Sequence, residues 1–167
     1  MGVTRNLTDR EATAKIREIA GGQVAMLCTF TADGTMTTRP MATAAVDDDG
    51  TLWFLSRRNS DKNVQIAANP TVRLLYTVHD RAEYLALDGD AYVVRDQRTI
   101  DDVWTPFANA WFPRGKDDPE LTLIRVTPTT GFYWDTEHGR MVALVKLAIG
   151  AVTGRPTDDA VVGTLDP

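Results

Sequence analysis

The chain is 167 residues long, enough to bury one core and short of the length at which chains usually split into separate domains. Its 43% apolar and 25% charged residues exclude a disordered segment, and 18 Lys and Arg against 23 Asp and Glu, a net charge of −5, exclude the basic excess of a non-specific nucleic-acid binder. One cysteine, Cys28, and two histidines, His79 and His138, exclude an internal disulfide and a cysteine-based zinc site, and no metal centre is expected.

The first eight residues carry no apolar run after Arg5, so no secretory leader is expected. Thr8 and Glu11 stand at the spacing of a capping box, and Ala12, Ile16, Ile19 and Ala20 then fall on one helical face. The pattern predicts a helix over residues 9–20, ended by Gly21-Gly22. Val24–Thr31, Thr35–Val46 and Thr51–Ser56 read as strands separated by the turns Ala32-Asp33-Gly34 and Asp47-Asp48-Asp49-Gly50. The acidic turn lacks the glutamate that closes a calcium loop, so a solvated turn is expected there.

Ser60 to Asn69 reads as a short helix capped by Ser60, with Val64, Ile66 and Ala67 as its apolar contacts and Asn69-Pro70 as its end. Val72–His79 and Glu83–Arg95 are further strands, the second with a bulge or close approach at Gly89. Thr99–Trp104 and Phe107–Trp111 read as short helical pieces, and Leu121–Thr127 and Gly131–Asp135 as the last strong strands. Met141–Val152 is apolar around most of its circumference and reads as a buried helix. It is too short to span a bilayer and contains Lys146, so no membrane role is expected and a cytoplasmic location is the default. Residues 155–167 read as a loosely held polar tail. Six or seven strands in sequential hairpins with short flanking helices predict a mainly β, antiparallel split barrel, a single domain over 1–167 with its core at about 8–153.

Chemistry concentrates around Arg39, Ser56, Ser60 and Lys62. Neighbouring strands bring Arg39 and Ser56 towards the start of the helix at Ser60, where free amides and the positive end of the dipole join Lys62. That set suits an anion such as phosphate, with Arg57 and Arg58 raising the local potential; surface ion pairing of Arg39 and Lys62 is the plain alternative. Cys28 alternates with apolar neighbours and reads as core, His79 as a surface residue and His138 as part of a turn. No dinucleotide fingerprint, P-loop or nucleophile elbow occurs.

The run Arg39-Pro40-Met41, the strand end Leu55-Ser56, Lys62 and Ile66-Ala67-Ala68-Asn69-Pro70 resemble the pyridoxamine 5′-phosphate oxidase-like split-barrel flavoproteins, and within them the general stress protein subgroup. Trp111-Phe112-Pro113, Gly115 with Asp117-Asp118-Pro119, and Tyr133-Trp134-Asp135 extend the likeness. The resemblance implies a homodimer with FMN in a cleft between subunits; FAD or a deazaflavin is the alternative cofactor. It implies that Arg39 and Lys62 contact the phosphate or ribityl end, that Pro40, Met41, Leu55 and Ser56 line the flavin, and that Ser60 donates to the phosphate. Trp111 is the aromatic residue expected nearest the cofactor.

The implied activity is an oxidoreductase taking electrons from a reduced nicotinamide or similar donor to a small-molecule acceptor. A deazaflavin-dependent reductase is a variant of this reading, a non-catalytic flavin-binding stress protein is the second, and a pure interaction module without cofactor the third. Catalytic side chains are not assigned. Ala44 and Asp61 replace basic residues of the true oxidases, and the chain lacks their C-terminal arginine-and-histidine signature, so vitamin B6 phosphate oxidation is not expected.

Overall fold

The computed structural model describes residues 3–136 and 160–167. Two short strands, β1 (Val3–Thr4) and β2 (Leu7–Thr8), precede helix α1 (Asp9–Ala20). Strands β3 (Val24–Phe30), β4 (Met36–Ala42), β5 (Ala45–Val46) and β6 (Leu52–Arg57) follow, then helix α2 (Asp61–Ala68). After β7 (Thr71–Val78) and β8 (Glu83–Val94) come helix α3 (Gln97–Val103) and two 3-10 turns, Pro106–Ala110 and Gly115–Asp117. The long β9 (Leu121–Thr136) and β10 (Ala160–Asp166) complete the described sheet.

Hydrogen bonding runs β4-β3-β7-β8-β9-β6-β5, every pair antiparallel; the number matches the expected six or seven, but Thr35–Val46 divides into β4 and β5 while Leu121–Thr127 and Gly131–Asp135 join as β9. The sheet is not closed into a barrel: β4 and β6 face each other without pairing. Pro40, which has no amide to donate, sits on the edge strand β4, where that loss costs no interior ladder bond. Three strands add to the expected set. β10 runs antiparallel to the second half of β9 and carries β1 and β2 in parallel on its other side, so the whole sheet is mixed.

The polar tail expected over 155–167 is therefore corrected from residue 160 onward. Ala160 to Leu165 pair with β9, and Leu165 is fully buried. Gly163 allows this close docking, since a Cβ there would lie 1.8 Å from the Arg5 carbonyl oxygen. The helix expected over Met141–Val152 lies outside the described residues, as does His138.

Two apolar clusters hold the sheet, and strand alternation decides which residues join each. On β6 and β9, Leu52, Phe54, Ile124 and Val126 enter the larger cluster, with Ile16 and Ile19 of α1. Leu55, Leu121 and Leu123 meet Ile100, Val103, Ala108 and Phe112 beneath α3 and the first 3-10 turn. Helix α1 buries the predicted stripe of Ala12, Ile16, Ile19 and Ala20. Its capping box does not form: Thr8 makes no side-chain cap bond, and Glu11 pairs instead with Arg5 at 3.5 Å. The bulge falls at Gly89 as predicted, where a Cβ would meet the Thr127 carbonyl oxygen at 2.5 Å.

Candidate functional site

A cavity of about 320 Å³ opens where the unpaired ends of β4 and β6 diverge, bounded by the first turn of α2 and by residues 105–112. The antiparallel hairpins deliver one side of it and the second apolar cluster props up the other. Seven of the eight expected site residues line it: Pro40, Met41, Leu55, Ser56, Ser60, Lys62 and Trp111. Arg39 stands apart from this lining, its guanidinium turned towards Gln65 of α2. There its guanidinium donates to Thr29 Oγ1, to Thr37 Oγ1 at 2.6 Å and to Gln65 Oε1 at 3.2 Å.

All three partners of Arg39 are neutral, so its charge remains uncompensated by contact. Among the described residues neither Arg39 nor Lys62 makes an ion pair. Burial pulls the Lys62 ammonium below the usual lysine range, and the charge of Arg39 adds to that effect while Asp61 opposes it. Burial likewise lowers Arg39. Two neighbouring cations that destabilise each other are relieved by an anion. The phosphate-binding reading of these residues thus has a physical basis, even though only Lys62 reaches the cavity.

Ser56 is buried and donates to Asn63 Oδ1 at 2.7 Å; Ser60 Oγ lies 3.3 Å from Ser56 Oγ and does not cap α2. The far wall is apolar, with Phe107, Ala108, Trp111 and Phe112. Phe107 and Trp111 remain 84% and 59% exposed, so the wall has unsatisfied aromatic surface at its rim. Among the described residues, Arg57 and Lys62 are the ionisable liners, both cationic, and no carboxylate lines the cavity. Such a pocket takes a ligand with an anionic end and a flat apolar body, which is what a flavin phosphate offers.

Other expected candidates fall elsewhere. Trp104 packs in the second cluster, Tyr133 is buried with its hydroxyl donating to the Arg5 carbonyl, and Cys28 is buried in β3. The acidic turn is used locally: Asp47 accepts from Trp53 Nε1, Asp48 pairs with Arg17, and Asp49 accepts from the Thr51 amide. Glu18, Glu83 and Asp135 bring carboxylate oxygens within 4.8 Å of one another, but Lys15 Nζ already pairs with Glu18 at 2.8 Å and Asp135 at 2.9 Å. Sequence reasoning passes over Asn63 and Gln65. Their signal is positional: Asn63 stands three residues before Ile66, on the buried face of α2, where a polar side chain needs partners.

A mixed sheet, antiparallel through β3 to β9 and not closed into a barrel, with a cationic and aromatic pocket at its split, defines a class of split-barrel protein. The chain belongs to the pyridoxamine 5′-phosphate oxidase like family, whose model matches residues 11–158. A structure assigned as general stress protein 26 from Jannaschia sp. CCS1 is similar at 26% identity, with a TM-score of 0.76, over 94% of this chain and 96% of that one. General Stress Protein 26 from Bacillus anthracis str. Sterne is 25% identical, with a TM-score of 0.64, over 74% of this chain and 92% of its own. The general stress FMN/FAD binding protein from Xanthomonas citri shares the fold, at 22% identity and a TM-score of 0.64 over 77% of this chain and 91% of that one. No curated protein matches. Among the described residues no helix is long and apolar enough to cross a membrane.

Proposed function

We propose that this protein is a cytoplasmic, homodimeric flavin-binding protein that holds FMN in the cavity at the split of its sheet. The observation that carries the reading is Lys62, a cation without an ion pair among the described residues, at one end of a pocket whose other end is apolar and aromatic, with the equally unpaired Arg39 outside the lining against Gln65 of α2. A phosphate dianion would relieve the mutual repulsion of the pair, with Ser60 adding a hydroxyl. Pro40, Met41 and Leu55 would bound the ring on one side, and Ala108, Trp111 and Phe112 on the other. The name of the Xanthomonas citri relative, an FMN/FAD binding protein, points the same way.

The bound flavin would supply two-electron redox chemistry. The chain's own contribution is binding, orientation and exclusion of water, through the cationic side chains of Arg57 and Lys62 and the aromatic wall. An oxidoreductase that takes electrons from a reduced nicotinamide and passes them to a small acceptor is the activity we favour. Its runner-up is flavin sequestration without turnover, favoured because Arg57 and Lys62 are the ionisable liners among the described residues.

Support for the dimer comes from an exposed apolar band. Pro40, Met26, Leu75, Ala86 and Phe132 lie opposite one another across five strands and therefore project from one face. Met26 and Leu75 are each 41% exposed, and Val24, Tyr84 and Trp134 flank the band. Pro40 also lines the cavity, so a second subunit seated there would complete its mouth. For the cytoplasm, the support is Cys28, a buried free thiol.

Titration of the purified protein with FMN, followed by flavin fluorescence and with FAD and a deazaflavin as comparators, tests the reading. Saturable binding of FMN at micromolar or lower concentration is expected. Preference for the deazaflavin would change the cofactor, and absence of binding by all three would overturn the flavin assignment.

A further inference from the structure

The hydrogen bonds behind the pocket have a fixed direction. The carbonyl oxygens of Arg57 and Arg58 can only accept, so the nitrogen of the Asn63 amide faces them, at 3.0 and 3.3 Å. The same nitrogen donates to Thr122 Oγ1 at 3.0 Å. Asn63 Oδ1 is left opposite Ser56 Oγ at 2.7 Å, and the Ser56 hydroxyl must therefore donate. Its proton thus committed, Ser56 Oγ can only accept from Ser60 Oγ at 3.3 Å. Thr122 Oγ1 closes the knot by donating to the Ser56 carbonyl at 2.9 Å.

This knot joins the end of β6, the start of β9 and the first turn of α2, the elements that present Ser56, Ser60 and Lys62. Apolar packing does little of that work. Ile66 is the one buried apolar residue of α2; Val64, expected to pack, is 65% exposed, and Ala67 is exposed too. Asn63, 5% exposed and outside the cavity lining, is the helix's other buried contact.

We infer, on the basis of the flavin reading above, that Asn63 is a positioning residue: it sets where Ser60 and Lys62 stand relative to the strand end, and so governs affinity for the phosphate end of the ligand without touching it. Ser56, as a committed donor, is a link in this scaffold and supplies no proton to the phosphate. Ser60 donates to the phosphate only by giving up its long 3.3 Å bond to Ser56 Oγ.

The test compares FMN, riboflavin and inorganic phosphate as ligands of wild type and Asn63→Ala. The FMN dissociation constant is expected to rise about tenfold or more, with riboflavin shifted less than about twofold and phosphate-induced thermal stabilisation lost. Equal weakening of FMN and riboflavin, or unchanged FMN affinity, would overturn the inference. Should Asn63→Ala not fold, Thr122→Val removes two bonds of the knot at a residue outside the lining. It should weaken FMN about threefold and leave riboflavin alone. Wild-type protein that binds phosphate but no flavin would remove the flavin reading and leave Asn63 to be judged on phosphate; binding of neither would remove both.

Discussion

Arg57 Nη2 donates to the main-chain carbonyl oxygen of Trp111 at 2.7 Å, across 54 positions of sequence. The same guanidinium lies 5.9 Å from the ring centre of Phe112. One side chain at the end of β6 thereby clasps the aromatic wall of the cavity through its backbone and through a ring. Arg57→Ala should leave global stability nearly unchanged, because the residue is exposed, yet loosen the wall. Flavin dissociation is expected to quicken about fivefold, with association little altered. Arg57→Lys should rescue little, since an ammonium lacks the planar fork that stacks and donates at once. Stopped-flow fluorescence measures this, and an unchanged dissociation rate in Arg57→Ala would discard the clasp.

Lys62 gives opposed predictions for stability and binding. Its folded pKa is depressed, chiefly by burial, so in the window below the ordinary lysine value the unfolded chain holds more protons than the native one. Stability of the ligand-free protein therefore rises with pH through that window. Lys62→Met should remove this slope and raise the melting temperature near neutral pH, while weakening FMN by about 1–3 kcal/mol. In the wild type, FMN affinity should climb as the phosphate takes its second charge near about pH 6 and fall again as Lys62 loses its proton. Melting curves and titrations across pH decide it: a lower melting temperature for Lys62→Met would contradict the burial argument.

How much of this was legible in the sequence differs residue by residue. The helix stripe of α1 and the bulge at Gly89 could be read because each depends on local periodicity or on a short run of neighbours, whereas the seven expected residues that share one cavity were named largely through the family resemblance. Arg39 was placed on the right strand, but its side chain points to Gln65, a partner 26 positions away. Asn63 meets Thr122 at a separation of 59, which no window along the chain reveals. Strand β10 does not stand out in the sequence because Gly163 and Asp166 carry weak strand propensity; it is a strand because β9 offers it a free edge. Likewise α3 is capped by Asp96, which accepts from the Thr99 amide at 2.8 Å and starts the helix two residues earlier than Thr99 suggested.

The apolar band predicts its own disruption. Leu75→Glu places a charge at the middle of five registered strands, on a side chain already 41% exposed in the single chain. A monomer should tolerate that change; a dimer seated on the band should not. Light scattering after gel filtration is expected to show wild type at twice the mass of Leu75→Glu, with flavin affinity falling alongside. If the wild type runs as a monomer at high concentration, the dimer reading fails.

Glu83 supplies a second pH signature of opposite sign. Its side chain is 7% exposed, and burial pushes its carboxyl above the usual range, while Arg81 at 2.8 Å and Lys15 pull it back and Asp135 and Glu18 push further. An acid whose folded pKa is raised contributes stability that is fully present below the unfolded pKa and is lost as pH rises through the folded one. As pH rises above the ordinary glutamate value, the wild-type melting temperature should therefore decline more steeply than that of Glu83→Gln. Parallel curves would remove Glu83 as the cause.

β9 has three neighbours: along one edge β8, and along the other β6 beside its first half and β10 beside its second. The strand that bounds the cavity and the strands that carry both ends of the described chain thus hang on a single sixteen-residue spine. Opening either half exposes amides that the other half needs in register, so local fraying is coupled to the whole sheet. Amide exchange at Ser56, beside the ligand, and at Leu165, at the far end, should follow one free energy, and a ligand that tightens the first will slow the second.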